Sequence, residues 1–477
     1  MRNSGRSRLA VFALGTLLVG CNTGGVVHPP SPPGVVQVIS TDNRGNLGNS
    51  VSGQPALSAT GRFLAFDSFS TNLVNPSTTQ QDVFFHDSCF GLTGCAATTL
   101  LASAISGTSA EPNGISQGPT SISADGRFVA FVSFSSNQDT PNAAHPQAYI
   151  HDTCTGAPTG CVPRTFFALT STTGGEPNMG TDVPAMSSTG RFVVSRSFAS
   201  NLVAGVTPTF LQEFLHENCR GVLLIPCNVA LSNIVVSVDN SGKLAGADVG
   251  VFAAVSVDGR FVAFETTGKL VPGVPSGVLQ IYLRDTCNCA MGFCVANCIP
   301  RTTLVSVDSA GNPGAADSFV PAMSDDGRFV VFTSNAALVP ADTNGVEDVY
   351  LRDTCNSSSG PVSGCTPSTS LLSLTPNGVA ANDTSANRFH AISTNGRFVV
   401  FESRATNLVS TSVPPGQTQI FVRDTCFSTA SCTSKTVLIS VDSNGNPVGG
   451  IAASISGDGH FAAFTSSGQD VLARTGF

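Results

Sequence analysis

The apolar and polar positions of this chain repeat with a period far longer than that of one strand or helix. The string Gly-Arg-Phe, or a close variant, starts at Gly61, Gly126, Gly190, Gly259, Gly327, Gly396 and Gly459, at intervals of 63 to 69 residues. Seven copies at so regular a pitch identify a repeat architecture before any single element is assigned. Each copy has the same internal order. A short segment ends in Ser, as in Pro119-Thr-Ser-Ile-Ser123, and a turn such as Ala124-Asp-Gly126 follows, with Gly supplying the positive φ of a two-residue hairpin. Next comes a run such as Arg127 to Phe131 or Arg260 to Phe264, apolar on consecutive positions, which marks a strand covered on both faces. A variable loop leads to a third strand: Tyr282 to Asp285, Tyr350 to Asp353, Phe421 to Asp424. A loop bounded by cysteines then gives a fourth, such as Thr302 to Val307.

Four antiparallel strands per unit, covered on both faces and repeated around a ring, predict an all-β fold: a β-propeller of seven four-stranded blades. Six full blades with an ill-ordered seventh is the alternative, because the last unit has His460 for Arg, a shortened loop and Thr475 for Asp. The repeat is out of phase with the chain ends. Val35 to Ser40 reads as a fourth strand, and Asp470 to Thr475 aligns on the third strand Asp348 to Asp353. The last blade is therefore expected to take three strands from the C-terminus and its fourth from the N-terminus, pairing edges that would otherwise be exposed.

The first 34 residues fall outside the repeat. Arg2, Arg6 and Arg8 precede an apolar stretch from Leu9 to Val19, too short to span a bilayer comfortably. It ends in Leu18-Val19-Gly20-Cys21, which resembles the lipobox of bacterial lipoproteins. That resemblance implies a signal peptide over residues 1–20 and a lipidated Cys21. A Pro-rich tether follows over 21–34 (Pro29, Pro30, Pro32, Pro33), and then the propeller over 35–477. Asn22 after the cysteine implies sorting to the outer membrane, facing the periplasm or the cell surface. Loss of residues 1–20 leaves 20 basic against 31 acidic residues, a net charge of −11. So acidic a chain is a poor partner for nucleic acid, and the lipid, not charge, would hold it to the membrane.

Besides Cys21 there are 14 cysteines, in local sets that all fall between third and fourth strands. Five are pairs: Cys89 and Cys95, Cys154 and Cys161, Cys219 and Cys227, Cys355 and Cys365, Cys426 and Cys432. The sixth is a quartet of Cys287, Cys289, Cys294 and Cys298. An even number, an export signal and a repeated position predict disulfides, with Cys287–Cys298 enclosing Cys289–Cys294 in the quartet. The rival for the quartet is a zinc site, which its irregular spacing disfavours. No metal or other cofactor is expected.

The segment Ile392-Ser-Thr-Asn-Gly-Arg-Phe-Val-Val-Phe401 and its siblings resemble the repeats of the TolB-like (WD40-like) propeller family, over nearly all of residues 34–477. The resemblance implies the propeller and is weak for function, since the family spans transport-complex components, peptidase propellers and exported scaffolds. The family's namesake binds its lipoprotein partner through an added α/β domain that these repeats do not contain, so that partner is not carried over.

The Arg of the motif (Arg62, Arg127, Arg191, Arg260, Arg328, Arg397) and the acid closing the third strand (Asp87, Asp152, Glu217, Asp285, Asp353, Asp424) recur once per blade. An active site uses each role once, so recurrence predicts a structural pair within each blade. His86, His151 and His216 share a position that later blades fill with Arg284, Arg352 and Arg423, too far apart around a ring to share a metal. Gly114-Ile-Ser-Gln-Gly118 matches a nucleophile-elbow string without its strand–turn–helix context. Asp342 to Asp348 is acidic and turn-like but lacks the alternating oxygens of a calcium loop. No nucleophile, base and oxyanion site assembles. The leading expectation is a non-catalytic binding or scaffold protein at the cell envelope. It would meet an envelope protein or glycan through its loops at 108–118, 171–183, 309–319, 375–388, 134–146 and 335–347. The alternative is a carbohydrate-active or hydrolytic propeller with a site at the channel mouth.

Overall fold

A computed structural model describes residues 33–139, 143–218, 233–288, 295–427, 429 and 432–477. Cys21 and most of the tether lie outside the described residues. So do Cys219 and Cys227, expected to pair in blade 3, and Cys289 and Cys294, expected to pair inside the quartet. Within the described residues the fold is all-β, with seven four-stranded antiparallel sheets and one small hairpin inside a disulfide loop. Blade 2 is representative: Ser116–Ile122, Phe128–Ser133, Gln147–Asp152 and Arg164–Phe167 pair in that order from the centre outward. Its second strand is buried at every position. The consecutive apolar run is thus satisfied by blades on both sides.

Blade 7 closes the ring. Ile451–Ile455, Phe461–Ser466 and Gln469–Arg474 come from the C-terminus, and Gly34–Val38 adds the outer strand. Gly34 faces Arg474, Val35 faces Ala473, Gln37 faces Leu472 and Val38 faces Val471. The Ser40 hydroxyl and Gln469 side chain add a hydrogen bond of 2.7 Å across the same seam.

The repeat motif can be read as an interface. In blade 5 Gly327 has φ +78°, and a Cβ placed there would lie 2.3 Å from the Phe261 ring of blade 4. Only glycine tolerates both that backbone and that contact. The motif glycine of every blade meets the motif phenylalanine of the blade before it, including Gly61 of blade 1 against Phe461 of blade 7. One socket repeated seven times is what makes a closed ring.

The turn before the motif is longer than the two-residue hairpin expected. Ser123 N–H donates to the Phe128 carbonyl, leaving four residues in the loop. The reason lies in the serine that ends the first strand. Its Oγ accepts from Phe128 N–H at 2.9 Å and donates to Asp125, whose Oδ1 takes the Arg127 N–H at 3.0 Å. Side chains therefore close the turn, and the same network recurs at Ser256/Asp258 and Ser324/Asp326.

Candidate functional site

The charges that recur in blades 1 to 6 serve the fold. Arg127 Nη2 meets Asp152 at 2.8 Å, Arg260 meets Asp285 at 2.7 Å, Arg328 meets Asp353 at 2.7 Å and Arg397 meets Asp424 at 2.7 Å. Arg62–Asp87 and Arg191–Glu217 occupy the equivalent places. In the Asp-containing pairs the arginine binds through Nε and Nη2, a two-pronged pair stronger than one bond. That bond raises the pKa of Arg62, Arg127, Arg328 and Arg397. Each guanidinium also lies over the next phenylalanine ring, for instance 4.6 Å from the Phe261 centroid.

The aspartate does a second job. Its Oδ1 accepts the N–H of the first cysteine of the clip, at 2.9 Å for Cys287, Cys355 and Cys426. That cysteine sits at positive φ, between +50° and +62° in Cys89, Cys154, Cys287, Cys355 and Cys426. The five clips Cys89–Cys95, Cys154–Cys161, Cys287–Cys298, Cys355–Cys365 and Cys426–Cys432 are disulfides. Arg, Asp and disulfide thus form one corner clamp in each of these five blades.

The other candidates are similarly engaged. His86 and His151 each meet the threonine of the outer strand (Thr99, Thr165) at 2.9 Å through Nδ1, and burial pushes both down to about 4. Arg284, Arg352 and Arg423 reach Thr302, Thr369 and Thr436 in the same way. These threonines in turn hold the preceding blade, as Thr165 does through the Ala104 carbonyl at 2.8 Å. Ser116 of the elbow-like string is buried in a first strand and donates to Ser133, a pairing repeated by Ser318 and Ser334. In the acidic loop Asp342 accepts from the Tyr350 hydroxyl, and Asp348 from Asn344 and Ser373.

Asymmetry, which a site requires, appears in the channel and at one of its mouths. One apolar side chain per blade lines the channel: Leu57, Ile122, Met186, Val255, Met323, Ile392 and Ile455. Below this collar the turns between first and second strands are stitched together. Ala59 N–H donates to Ala124 O, Val257 to Asp325, Asp325 to Thr394, Thr394 to Gly457, and Asp458 back to Ala59. Asp325 also accepts from Ser188 at 2.8 Å, and burial pushes its carboxyl up to about 6. His390 lies above the collar and Asp325 below it, so the two are not partners.

At the opposite, open mouth one second-strand position, six after the motif glycine, reads Asp67, Val132, Arg196, Glu265, Thr333, Glu402 and Thr465. These groups hold the irregular start of the inner strands. Glu265 accepts from Val251 N–H and from Val320 N–H of the next blade, both at 2.8 Å. Glu402 accepts from Ala452 N–H at 2.6 Å and pairs with Arg388. Asp67 accepts from Gly118 N–H at 3.2 Å, and Arg196 donates to Gly250 O at 3.0 Å. Burial raises Asp67 to about 6, raises Glu265, and puts Glu213, beside Arg196, well above the usual carboxylate range. The acids at this position are therefore tied to backbone N–H groups, while Glu213 is buried and Asp182 pairs with Arg196.

The open face has a second asymmetry. Eight residues after the motif glycine stand Phe69, Phe134 and Phe198 in blades 1 to 3, exposed by 55%, 49% and 39%. Phe69 and Phe134 each lie beside another exposed apolar residue, Val51 and Ile115, whose carbonyls accept their N–H groups. In blades 4 to 7 the position holds Thr267, Asn335, Arg404 and Ser467. At this position the open face is thus aromatic in blades 1 to 3 and polar in blades 4 to 7. Single exposed apolar residues need no explanation, but three in register on consecutive blades do.

No protein-family model matches the chain, and no curated protein does. Solved structures with a similar fold include a putative TolB from Agrobacterium tumefaciens, 14% identical, covering 68% of this chain and 80% of that one, with a TM-score of 0.35. An oligogalacturonate lyase in complex with manganese is 12% identical over 93% of this chain and 96% of that one, with a TM-score of 0.45. The tricorn protease is 12% identical over 94% of this chain and 34% of that one, with a TM-score of 0.45. The likeness is one of fold alone.

Proposed function

We propose that this chain is an exported, lipid-anchored binding protein of the cell envelope, non-catalytic, whose open propeller face docks a protein partner. The observation that carries the reading is the aromatic arc of Phe69, Phe134 and Phe198, since large rigid apolar anchors concentrate binding energy at protein interfaces. The engagement of the acids near the mouth supports binding over hydrolysis. Five disulfides fit an oxidising compartment, as export would require.

The geometry also suits an anchor. Gly34 starts the outer strand of blade 7 at the end of the sheet that carries the disulfide loops, where Pro33 lies beside Gly476. A tether from a lipidated Cys21 would join that face and leave the open face directed away from the membrane. An outer-membrane address follows from Asn22.

The test is crosslinking of the native protein in its own envelope, beside a variant with Phe69→Ser, Phe134→Ser and Phe198→Ser. A discrete protein adduct that the variant loses supports the reading. An adduct unchanged by the variant, or glycan turnover by the purified protein, overturns it.

A further inference from the structure

The open mouth holds a recess that the aromatic arc does not use. Four residues before the serine that ends each first strand stand Gln54, Pro119, Val183, Phe252, Val320, Phe389 and Ala452. Here the inner strands leave regular β geometry: Gln54, Val183, Val320 and Ala452 have φ of +53°, +43°, +55° and +56°. Such a backbone is costly for any residue with a Cβ, and most so for valine. It persists because Glu265, Glu402 and neighbouring groups hold the displaced N–H groups. Strain kept in place around an opening is a feature of sites that present a fixed shape to a ligand.

Between these strands lies a cavity of about 300 Å³. Its walls are mostly apolar: the rings of Phe252 and Phe389, whose centroids are 6.3 Å apart, with Pro55, Pro119 and Ile451. No aspartate or glutamate lines it, and Arg388 is its one arginine or lysine. Arg388 gives Nε and Nη2 to Glu402 at 2.8 and 3.0 Å, and its Nη1 makes no hydrogen bond to any described residue. Its side chain stays 48% exposed while Glu402 is 6% exposed, so the cation, not its partner, faces solvent. The side-chain amide of Gln54, across the recess, is also without a partner among the described residues.

We propose that this recess binds an apolar or aromatic group that carries a single carboxylate, with the group against Phe252 and Phe389 and the carboxylate on Arg388. Two rings in a concave apolar wall suit a flat or bulky apolar body. One free guanidinium nitrogen matches one carboxylate. A polyanion would meet a single cation on a chain with a formal net charge of −8, so phosphate-rich and polyuronate ligands are excluded. The same chemistry is offered by a free aromatic or aliphatic acid and by the C-terminal residue of a peptide. The rim favours access from blade 7, where a two-residue turn at Ser467-Gly468 replaces the long loops of the other blades. The recess shares the open face with the aromatic arc, but its occupancy does not depend on the docking proposed for that arc.

The chain has no tryptophan, so an indole probe fluoresces against no tryptophan background. N-acetyl-L-tryptophan is titrated into the full-length protein beside N-acetyl-L-tryptophanamide, which lacks the carboxylate. Saturable binding of the acid, about tenfold tighter than the amide, is expected for one charge-assisted pair. Arg388→Met should bring acid and amide to equal affinity, and Phe389→Ala should weaken both. Because Arg388 also shields Glu402, Ile451→Asp is a second check: Ile451 is 51% exposed at the rim, so both probes should weaken through lost apolar contact, and the acid further than the amide through the new charge. A tripeptide ending in Trp with a free carboxylate tells the sources apart. Tighter binding than N-acetyltryptophan points to a peptide C-terminus, and weaker binding to a free acid. Equal affinity of acid and amide for the unaltered protein, or no saturable binding, overturns the proposal. Phe134→Ser should leave the titration unchanged, so failure here and failure of the docking reading are separate results.

Discussion

Deleting residues 34–38 from the full-length chain removes the strand that seals blade 7 and nothing else of that blade. Four residues lose their antiparallel partners on Gln469–Arg474. At about 1 kcal/mol net per ladder hydrogen bond, the lost pairing costs roughly 4 kcal/mol. Loss of the apolar contact made by half-buried Val35 and Val38 adds about 1 kcal/mol. Against a total stability of about 5–15 kcal/mol this is a large fraction. At about 2 °C per kcal/mol for a protein of this size, the melting temperature should fall by roughly 10 °C. The newly open edge of Gln469–Arg474 should also promote association at high concentration. Differential scanning calorimetry with light scattering reads both. Val36→Thr, on a residue 39% exposed within the same strand, is the control and should melt normally. A deletion variant that melts within about 2 °C of the parent and stays monomeric would refute the closure.

Further predictions concern single groups. Asp285→Asn leaves Arg260, whose side chain is 5% exposed, buried without its carboxylate, and should cost about 3 kcal/mol; Asp87→Asn faces Arg62, 37% exposed, and should cost under about 1 kcal/mol by thermal melt. Gly327→Ala meets both a left-handed backbone and the Phe261 ring, for roughly 2–4 kcal/mol. Gly311→Ala, at φ +90° with open space around it, should cost only about 1 kcal/mol, so equal losses would argue against the socket. His86 and His151 titrate near 4 in the folded chain against an ordinary value of 6.5. Their neutral state contributes stability above pH ~6.5 that is lost as the pH falls toward 4, up to about 3 kcal/mol each. Asp82 and Asp348, raised to about 7 by burial, act in the opposite sense and lose their contribution as the pH rises through 7. Substituting both histidines by Gln should therefore shrink the drop in melting temperature between pH 7.5 and 4.5; an unchanged drop would contradict the assignment.

Much of the fold was legible because its determinants are local and repeated. The motif glycine, the serine five residues before the motif phenylalanine, and the paired cysteines each mark one corner of a blade. Even the phase shift between the repeat and the chain ends could be read from Val35 to Ser40 and Asp470 to Thr475. The turn was misjudged by its length because Ser123 and Asp125 close it through side chains, which backbone turn rules do not register. The open face was legible only in outline. Repeats advertise what is shared, whereas a site is built from what differs. The Phe69, Phe134 and Phe198 arc becomes visible only when the blades are aligned at one position and compared for exposure. Arg388 and Phe252 come together from blades far apart in sequence, and their meeting depends on the bulged inner strands.

The central claim, that one half of the open face is the binding surface, is tested most directly by photo-crosslinking around the ring. A photoreactive residue is placed, one at a time, at positions 69, 134, 198, 267, 335, 404 and 467 of the protein in its native envelope. The account predicts the same discrete protein adduct from positions 69, 134 and 198 and none from 267, 335 and 404. Adducts spread evenly around the ring, or confined to blades 4 to 6, would contradict it.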